Sequence, residues 1–241
     1  MTVDTTQTRS KVGGPRLLLT AAIALMLATG TVAMTGLTAL AGQSPALGAA
    51  TGFTILGGSG VSCTNSTVAG DSGSLITVTQ TPSCSLAGVH EGDAAATTAF
   101  SDFAVAYDQV ASMTCDPANN LTGQELGGMT LPPNVYCFDT TADLTSGALT
   151  LSGPADGIWI FQIGTGITTG TAGVVMAGGG VPCNVYWLTG TTATIGEGTA
   201  FQGNILAGSA ISFTGGSSSF VGRALAKTAV TMTGASISPC S

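Results

Sequence analysis

Few side chains in this sequence are equipped for acid–base or metal chemistry. His90 is the single histidine among 241 residues, and it stands beside Glu91. An imidazole next to a carboxylate can act as a general base, but no G-x-S-x-G elbow accompanies it, so we read His90 as a solvated residue at the start of a helix. The carboxylates are scattered. Asp139 and Asp143 are the nearest-spaced pair in a strand-rich stretch, whereas paired-carboxylate hydrolysis needs two acids facing each other across one cleft. Gly164-Thr165-Gly166 and Gly196-Glu197-Gly198 are not phosphate loops, because no helix follows them and no lysine is near. One histidine and no C-x-x-C leave zinc without a ligand set. The sequence is therefore read as a non-enzyme with no catalytic residue, no metal and no cofactor.

The residue types that do recur are hydroxyls. The chain carries 38 Thr and 36 Gly but only 7% charged residues, far below the usual quarter. At 44% apolar it is too hydrophobic for intrinsic disorder. Five Lys+Arg in all cannot neutralise a phosphate backbone, which excludes nucleic acid as a partner. Placing Gly164, Gly190, Gly208 and Lys227 in one column aligns IGTGITTG, TGTTATIG, AGSAISFT and AKTAVTMT, at offsets of 26, 18 and 19 residues. Two columns of this alignment are mainly apolar: Ile167, Ala193, Ile211, Val230, and Thr169, Ile195, Phe213, Met232. Between them runs a column of hydroxyls: Thr168, Thr194, Ser212 and Thr231. T-x-T and T-G-x-[ST] units recur as well, at Thr64 to Thr67, Thr169 to Thr171, Thr189 to Thr192, Thr214 to Ser217 and Thr233 to Ser236.

A period near 18–20 built from short strands and glycine turns is the grammar of a β-solenoid, in which each turn of the coil adds one rung. Alternation along each strand then sends the apolar columns inward and the hydroxyl column outward. Thr presents a methyl and a hydroxyl from one stiff carbon, so a stacked lattice of Thr anchors water through its hydroxyls and cages it with its methyls. The rung spacing is close to a repeat of the ice lattice, so such a face can adsorb to ice. The competing explanation is that Thr fills solvent-facing strand positions for its β-propensity alone.

The remaining elements must cap or flank the coil. Between Glu91 and Met113 the pattern changes: Phe100, Phe103, Ala104, Tyr107, Val110 and Ala111 form a helical stripe. The spacing predicts a helix over about 93–113, with Asp93 or Glu91 near its start suiting the helix dipole. It is expected to cap one end of the coil or lie along one side. Residues 1–41 read as a secretory leader, with Arg9, Lys11 and Arg16 ahead of an apolar run and an A-x-A site at Ala39-Leu40-Ala41; a retained anchor helix is the alternative. Residues 42–241 then form one domain, secreted, outside any membrane, and expected to be monomeric. Losing three of the five bases and one of the twelve acids leaves only Arg223 and Lys227 against eleven acids, a net charge of −9. All six cysteines lie in this part, where export permits disulfides. Sequence alone does not choose among the pairings; the sequential one (63–84, 115–137, 183–240) is the working expectation.

Several segments together resemble the microbial ice-binding proteins of the DUF3494 type: LGAATGFTILGGSGVS from Leu47, the AGDSGS run from Ala69, ELGGMTLPPNVY from Glu125, IWIFQIG from Ile158, CNVYWLTG from Cys183, and FQGNILA and FVGRALA from Phe201 and Phe220. The resemblance covers residues 47–238 in the family's order. Asn134 stands where the family usually has Gly, and Glu197 places a charge in a turn unit that often carries Thr. The resemblance implies an all-β-dominated, discontinuous right-handed β-solenoid of triangular section, with one long α-helix packed alongside and N-terminal strands inserted among the C-terminal coils. It also implies an ice site on one broad flat face. Carried over by unit, that site is Thr64, Thr67, Thr171, Thr199, Ser217, Thr233 and Ser236. The outward column Thr168, Thr194, Ser212 and Thr231 is the alternative face. The expected partners are an ice surface and its ordered water. A solenoid adhesin that binds glycan or a cell-wall polymer through the same Thr face is the competing function.

Overall fold

The structure is a computed structural model and describes residues 43–240; the leader and its cleavage site lie outside the described residues. Five successive coils run from Thr130 to Thr233, and each contributes one short strand to each of three parallel faces. The fourth coil, for instance, comprises Ala200–Gln202, Asn204–Ala207 and Ile211–Phe213. After the fifth coil, Ala235–Ser238 adds a last strand to the first of these faces.

The N-terminal strands continue the same stack. Phe53–Gly57 pairs with Ala224–Ala226, and Gly60–Thr64 pairs with Ala229–Thr233. Thr67–Ser74 turns a corner within one strand, pairing first with Ala235–Ser238 and then with Phe53–Gly57. Val78–Gln80 and Ser85–Glu91 complete that end. The N-terminal strands thus extend the stack beyond the last C-terminal coil. They are not inserted among those coils, which corrects the expected topology. The helix Ala94–Ala111 explains why. Its 18 residues span about 27 Å, five to six rung spacings, and carry the chain from the N-terminal end of the stack back along one face to Cys115, opposite the first coil.

Asp93 caps this helix by accepting from the Ala96 N–H at 2.8 Å. The buried stripe is Ala96, Ala99, Phe103, Ala106, Tyr107 and Val110, with Phe100 half-buried. Of the expected stripe, Ala104 is half-buried and Ala111 exposed, and the small side chains of Ala96, Ala99 and Ala106 complete the docking face instead. It covers Leu56, Val135, Ile160, Tyr186, Leu188, Leu206 and Leu225, which project outward from one face. At its far end the Gln162 side chain donates to the Val110 and Met113 carbonyls at 2.6 and 2.8 Å.

Inside the coil, aromatic rings from successive rungs stack, with Phe161 and Trp187 nearly parallel at 3.9 Å and Tyr136, Phe201 and Phe220 continuing the row. The disulfides are Cys63–Cys84, Cys115–Cys137 and Cys183–Cys240, the sequential pairing. Among the described residues no helix is long and apolar enough to cross a membrane.

The candidate binding face

The three faces differ in what covers them. The first lies under the helix and is called the covered face. The second, the open face, is a single seven-stranded sheet with nothing packed over it among the described residues. The third is interrupted, since Val174–Ala177 and Ala200–Gln202 belong to different sheets.

On the open face the central outward column reads, rung by rung, Thr79, Ser62, Thr231, Ser212, Thr194, Thr168 and Asp143. The flanking inward columns are apolar for most of their length, with Val61, Val230, Ile211, Ala193, Ile167 and Ala142 all buried. Alternation therefore fixes the hydroxyls outward, because a one-residue slip would expose the entire core-facing set. Two further outward columns lie two residues to either side. One contains Thr64 and Thr233 as direct partners, followed by Thr214. The other runs through Gly60, Ala229, Ala210, Thr192 and Gly166. Seven strands at about 4.8 Å and three columns two residues apart give a surface of roughly 29 by 13 Å.

Charge is kept off this surface. Asp143, on the outermost rung, is the one charged residue of the three columns among the described residues. Lys227 lies 3.7 Å over the Tyr107 ring and 3.6 Å from Asp108, drawn toward the helix. Arg223 donates to the Thr51 carbonyl and the Asn204 side chain, on another corner. Glu197 is exposed in the turn between the open and third faces, beside the lattice rather than in it.

The unit-by-unit set from the sequence does not form one surface. Thr64 and Thr233 meet on the open face. Thr67 and Ser236 pair with each other on the third face, around the corner. Thr171 and Ser217 are exposed in turns at that corner, Ser217 with a left-handed φ of 65°. Thr199 is fully buried; its hydroxyl donates to the Gly170 carbonyl and lies 3.1 Å from that of Thr169. It closes the corner from inside and touches no external surface, which corrects its place in the set. The alternative column, Thr168, Thr194, Ser212 and Thr231, is by contrast continuous. Ser62 and Thr79 extend it from N-terminal strands that lie outside the repeats between Gly164 and Thr233. The alternation in VSCTNST and ITVTQT was the available signal.

The groups that resembled catalytic candidates have other partners. His90 lies 2.7 Å from Asp93 and 3.5 Å from Asp71 and packs edge-on against Phe53. Hydrogen bonding to Asp93 holds its imidazolium above the usual histidine range, against the opposing effect of partial burial. Asp139 sits near the Asn120 amide at 3.4 Å, in a corner turn, while Asp143 projects from the open face. Glu125 closes the first coil by accepting from Thr145, Gly127 and Ser146; partial desolvation opposes them, but these bonds hold its carboxyl below the usual range. Among the described residues no three His, Cys, Asp or Glu lie close enough to hold a metal.

A hydroxyl lattice with a single acid, on a helix-buttressed parallel solenoid, places the chain among β-solenoid proteins with one open, hydroxyl-lined face. Residues 26–238 match the ice-binding-like family, and the chain belongs to it. An ice-binding protein of Nostoc sp. (strain HG1) is 40% identical over 176 residues, 70% of this chain and 64% of the relative. Ice-binding protein K3-B1 of Typhula ishikariensis is 33% identical over 186 residues, covering 76% and 71%. The chain spans less than two thirds of the first curated relatives it matches. Among solved structures, an ice-binding protein from an Antarctic biological consortium superposes with a TM-score of 0.78 at 31% identity, covering 83% of this chain and 93% of that one. The ice-binding protein of Antarctomyces psychrotrophicus gives 0.75 at 29% identity, covering 81% and 98%.

Proposed function

We propose that this protein is secreted after removal of residues 1–41 and, as a monomer without cofactor or catalytic step, adsorbs to ice through its open face, inhibiting ice growth and recrystallisation. The observation that carries this reading is the central column, in which six successive rungs present Thr or Ser in backbone-paired register. Hydroxyls held at rung spacing by the strand ladder hold waters at that spacing, and the rigid β-branched carbons leave little side-chain freedom to lose on contact. Lysine and arginine side chains, with their long stems and strongly bound hydration, are kept away. Adsorbed molecules pin the front, which bulges between them, and its curvature stops further growth. The family relationship supports this reading over the glycan-binding alternative, since the relatives described above are all ice-binding proteins by name. The test is to grow a single ice crystal in the purified protein. Faceted crystals and a gap between melting and freezing points are expected; unshaped discs with no gap at high concentration would refute the proposal.

A further inference from the structure

The strand ladder of the open face is irregular at one step. Ile167–Thr169 shares three paired residues with Ala142–Leu144, and Ile211–Phe213 shares three with each of its neighbours. Ile167–Thr169 and Ala193–Ile195 share only two, Ile167 with Ala193 and Thr168 with Thr194. The pairing stops one residue early, at Thr169. On the steps to either side, the amide that follows the strand donates to the last carbonyl of the neighbouring strand, Gly170 to Leu144 and Thr214 to Ile195, both at 2.9 Å. At the irregular step the Gly196 N–H donates to the Thr169 hydroxyl instead, at 2.9 Å.

That hydroxyl lies 3.1 Å from the hydroxyl of Thr199, which donates to the Gly170 carbonyl. Thr169 therefore donates to Thr199, and every group from the Gly196 N–H to the Gly170 carbonyl has a partner. Both threonines are buried. Thr169 stands in the inward column whose other members, Leu144, Ile195, Phe213 and Met232, are apolar. Burial alone gives no reason for a hydroxyl there, since an unpaired one would cost free energy.

The mismatch arises from coil length. The coil from Gly164 to Gly190 takes 26 residues and the next, from Gly190 to Gly208, takes 18. Their third-face strands, Val174–Ala177 and Ala200–Gln202, do not pair, and the face changes sheets between them. Two unequal coils thus meet there without a ladder. The turns Gly170–Gly173 and Gly196–Thr199 carry the mismatch to the edge of the open face, and the hydroxyl pair ties the coils where backbone pairing lapses. Contact at this corner is close, because a Cβ on Gly196 would strike the Thr169 carbonyl.

We infer that Thr169 and Thr199 are positioning residues for ice adsorption: their buried hydroxyls hold Thr168 and Thr194 at rung spacing across the junction of the two coils. The inference rests on the reading of the open face as an ice-binding surface. Without the pair the lattice divides at this step. Thr168 then shifts against the hydroxyls from Thr194 to Thr79, and waters held on one part fall out of register with those on the other.

The test measures hysteresis per folded molecule for wild type, Thr199→Val, Thr199→Ser and Thr194→Tyr, with amide hydrogen exchange followed at Gly196 and Thr214. Thr199→Val keeps the branched shape and removes the hydroxyl. Its hysteresis should fall several-fold and the Gly196 amide should exchange faster, while Thr214 is unchanged. Thr199→Ser restores a hydroxyl and should bring both readings back toward wild type. Phe103→Ala, which loosens the molecule away from the open face, should keep its hysteresis per folded molecule, so lost stability alone does not imitate the effect. Thr169→Val/Thr199→Val, which completes the apolar column, should lose hysteresis as well and serves if Thr199→Val fails to fold. Wild-type hysteresis in the folded valine variants, or equal loss in Thr199→Ser, would overturn the positioning role alone, provided that Thr194→Tyr still loses activity. If Thr194→Tyr also matched wild type, the open-face reading would fall with it.

Discussion

The covered and open faces are built from the same coils, with the same parallel register and the same rung spacing, yet they meet different surroundings. From the covered face project Leu56, Ile160, Tyr186, Leu188, Leu206 and Leu225; from the open face project Thr79, Ser62, Thr231, Ser212, Thr194 and Thr168. Apolar area gains about 25 cal/mol per Å² on leaving water, so the first row demands a cover and takes the helix. The second row keeps its hydroxyls hydrated and needs none. The backbone supplies a regular array on both faces, and the outward residue decides whether protein or water occupies it.

The comparison is broken most severely from the covered side. Phe103→Ala removes the largest fully buried side chain of the helix, and we expect a loss of about 3–5 kcal/mol with a matching fall in Tm. Ice shaping at low temperature should persist in the molecules that remain folded. If shaping vanished while the fold survived, the two faces would not be separable. Opening Cys115–Cys137 with Cys115→Ser/Cys137→Ser frees the end of the helix from the stack, a crosslink spanning 22 residues, and about 3 kcal/mol should be lost in chemical denaturation. Asp143→Thr completes the central column and should raise hysteresis by less than about twofold, since one rung in seven changes; a loss of activity would mean that the acid contributes to the surface. The smallest effect concerns pH. Because the folded state holds His90 protonated above its usual range, its contribution to stability is complete below about 6.5 and fades as pH rises through the raised value. The melting temperature of the wild type should therefore fall slightly as pH rises beyond about 6.5, with the Asp93 carboxyl held below its usual range by the Ala96 N–H and by His90, and His90→Gln should flatten that part of the profile.

Much of this was legible in the sequence because a solenoid writes its geometry as period. Offsets of 18 and 19 residues brought Thr194, Ser212 and Thr231 into one column, and the structure pairs them as direct neighbours. The helix was legible from its 3.6-residue stripe, although the alanines at 96, 99 and 106 that set its docking face carry too weak a hydrophobic signal to place its rotation. What was not legible depended on contacts between distant segments. Ser62 and Thr79 join the column only because the N-terminal strands stack on the end of the C-terminal coil. Thr199 looks like any exposed turn threonine until the corner folds its hydroxyl inward onto Gly170. The unit-by-unit set failed as one surface because T-G-x-[ST] motifs straddle a corner, placing their first and last residues on different faces, as Thr233 and Ser236 show.

The most direct measurement is the freezing hysteresis of Thr194→Tyr against Ser236→Tyr at equal protein concentration, both verified as folded by thermal melting. One bulky ring stands at the centre of the open face, the other on the third face around the corner. The open-face account predicts a loss of at least about tenfold for Thr194→Tyr and near wild-type activity for Ser236→Tyr; the reverse order, or equal loss in both, would contradict it.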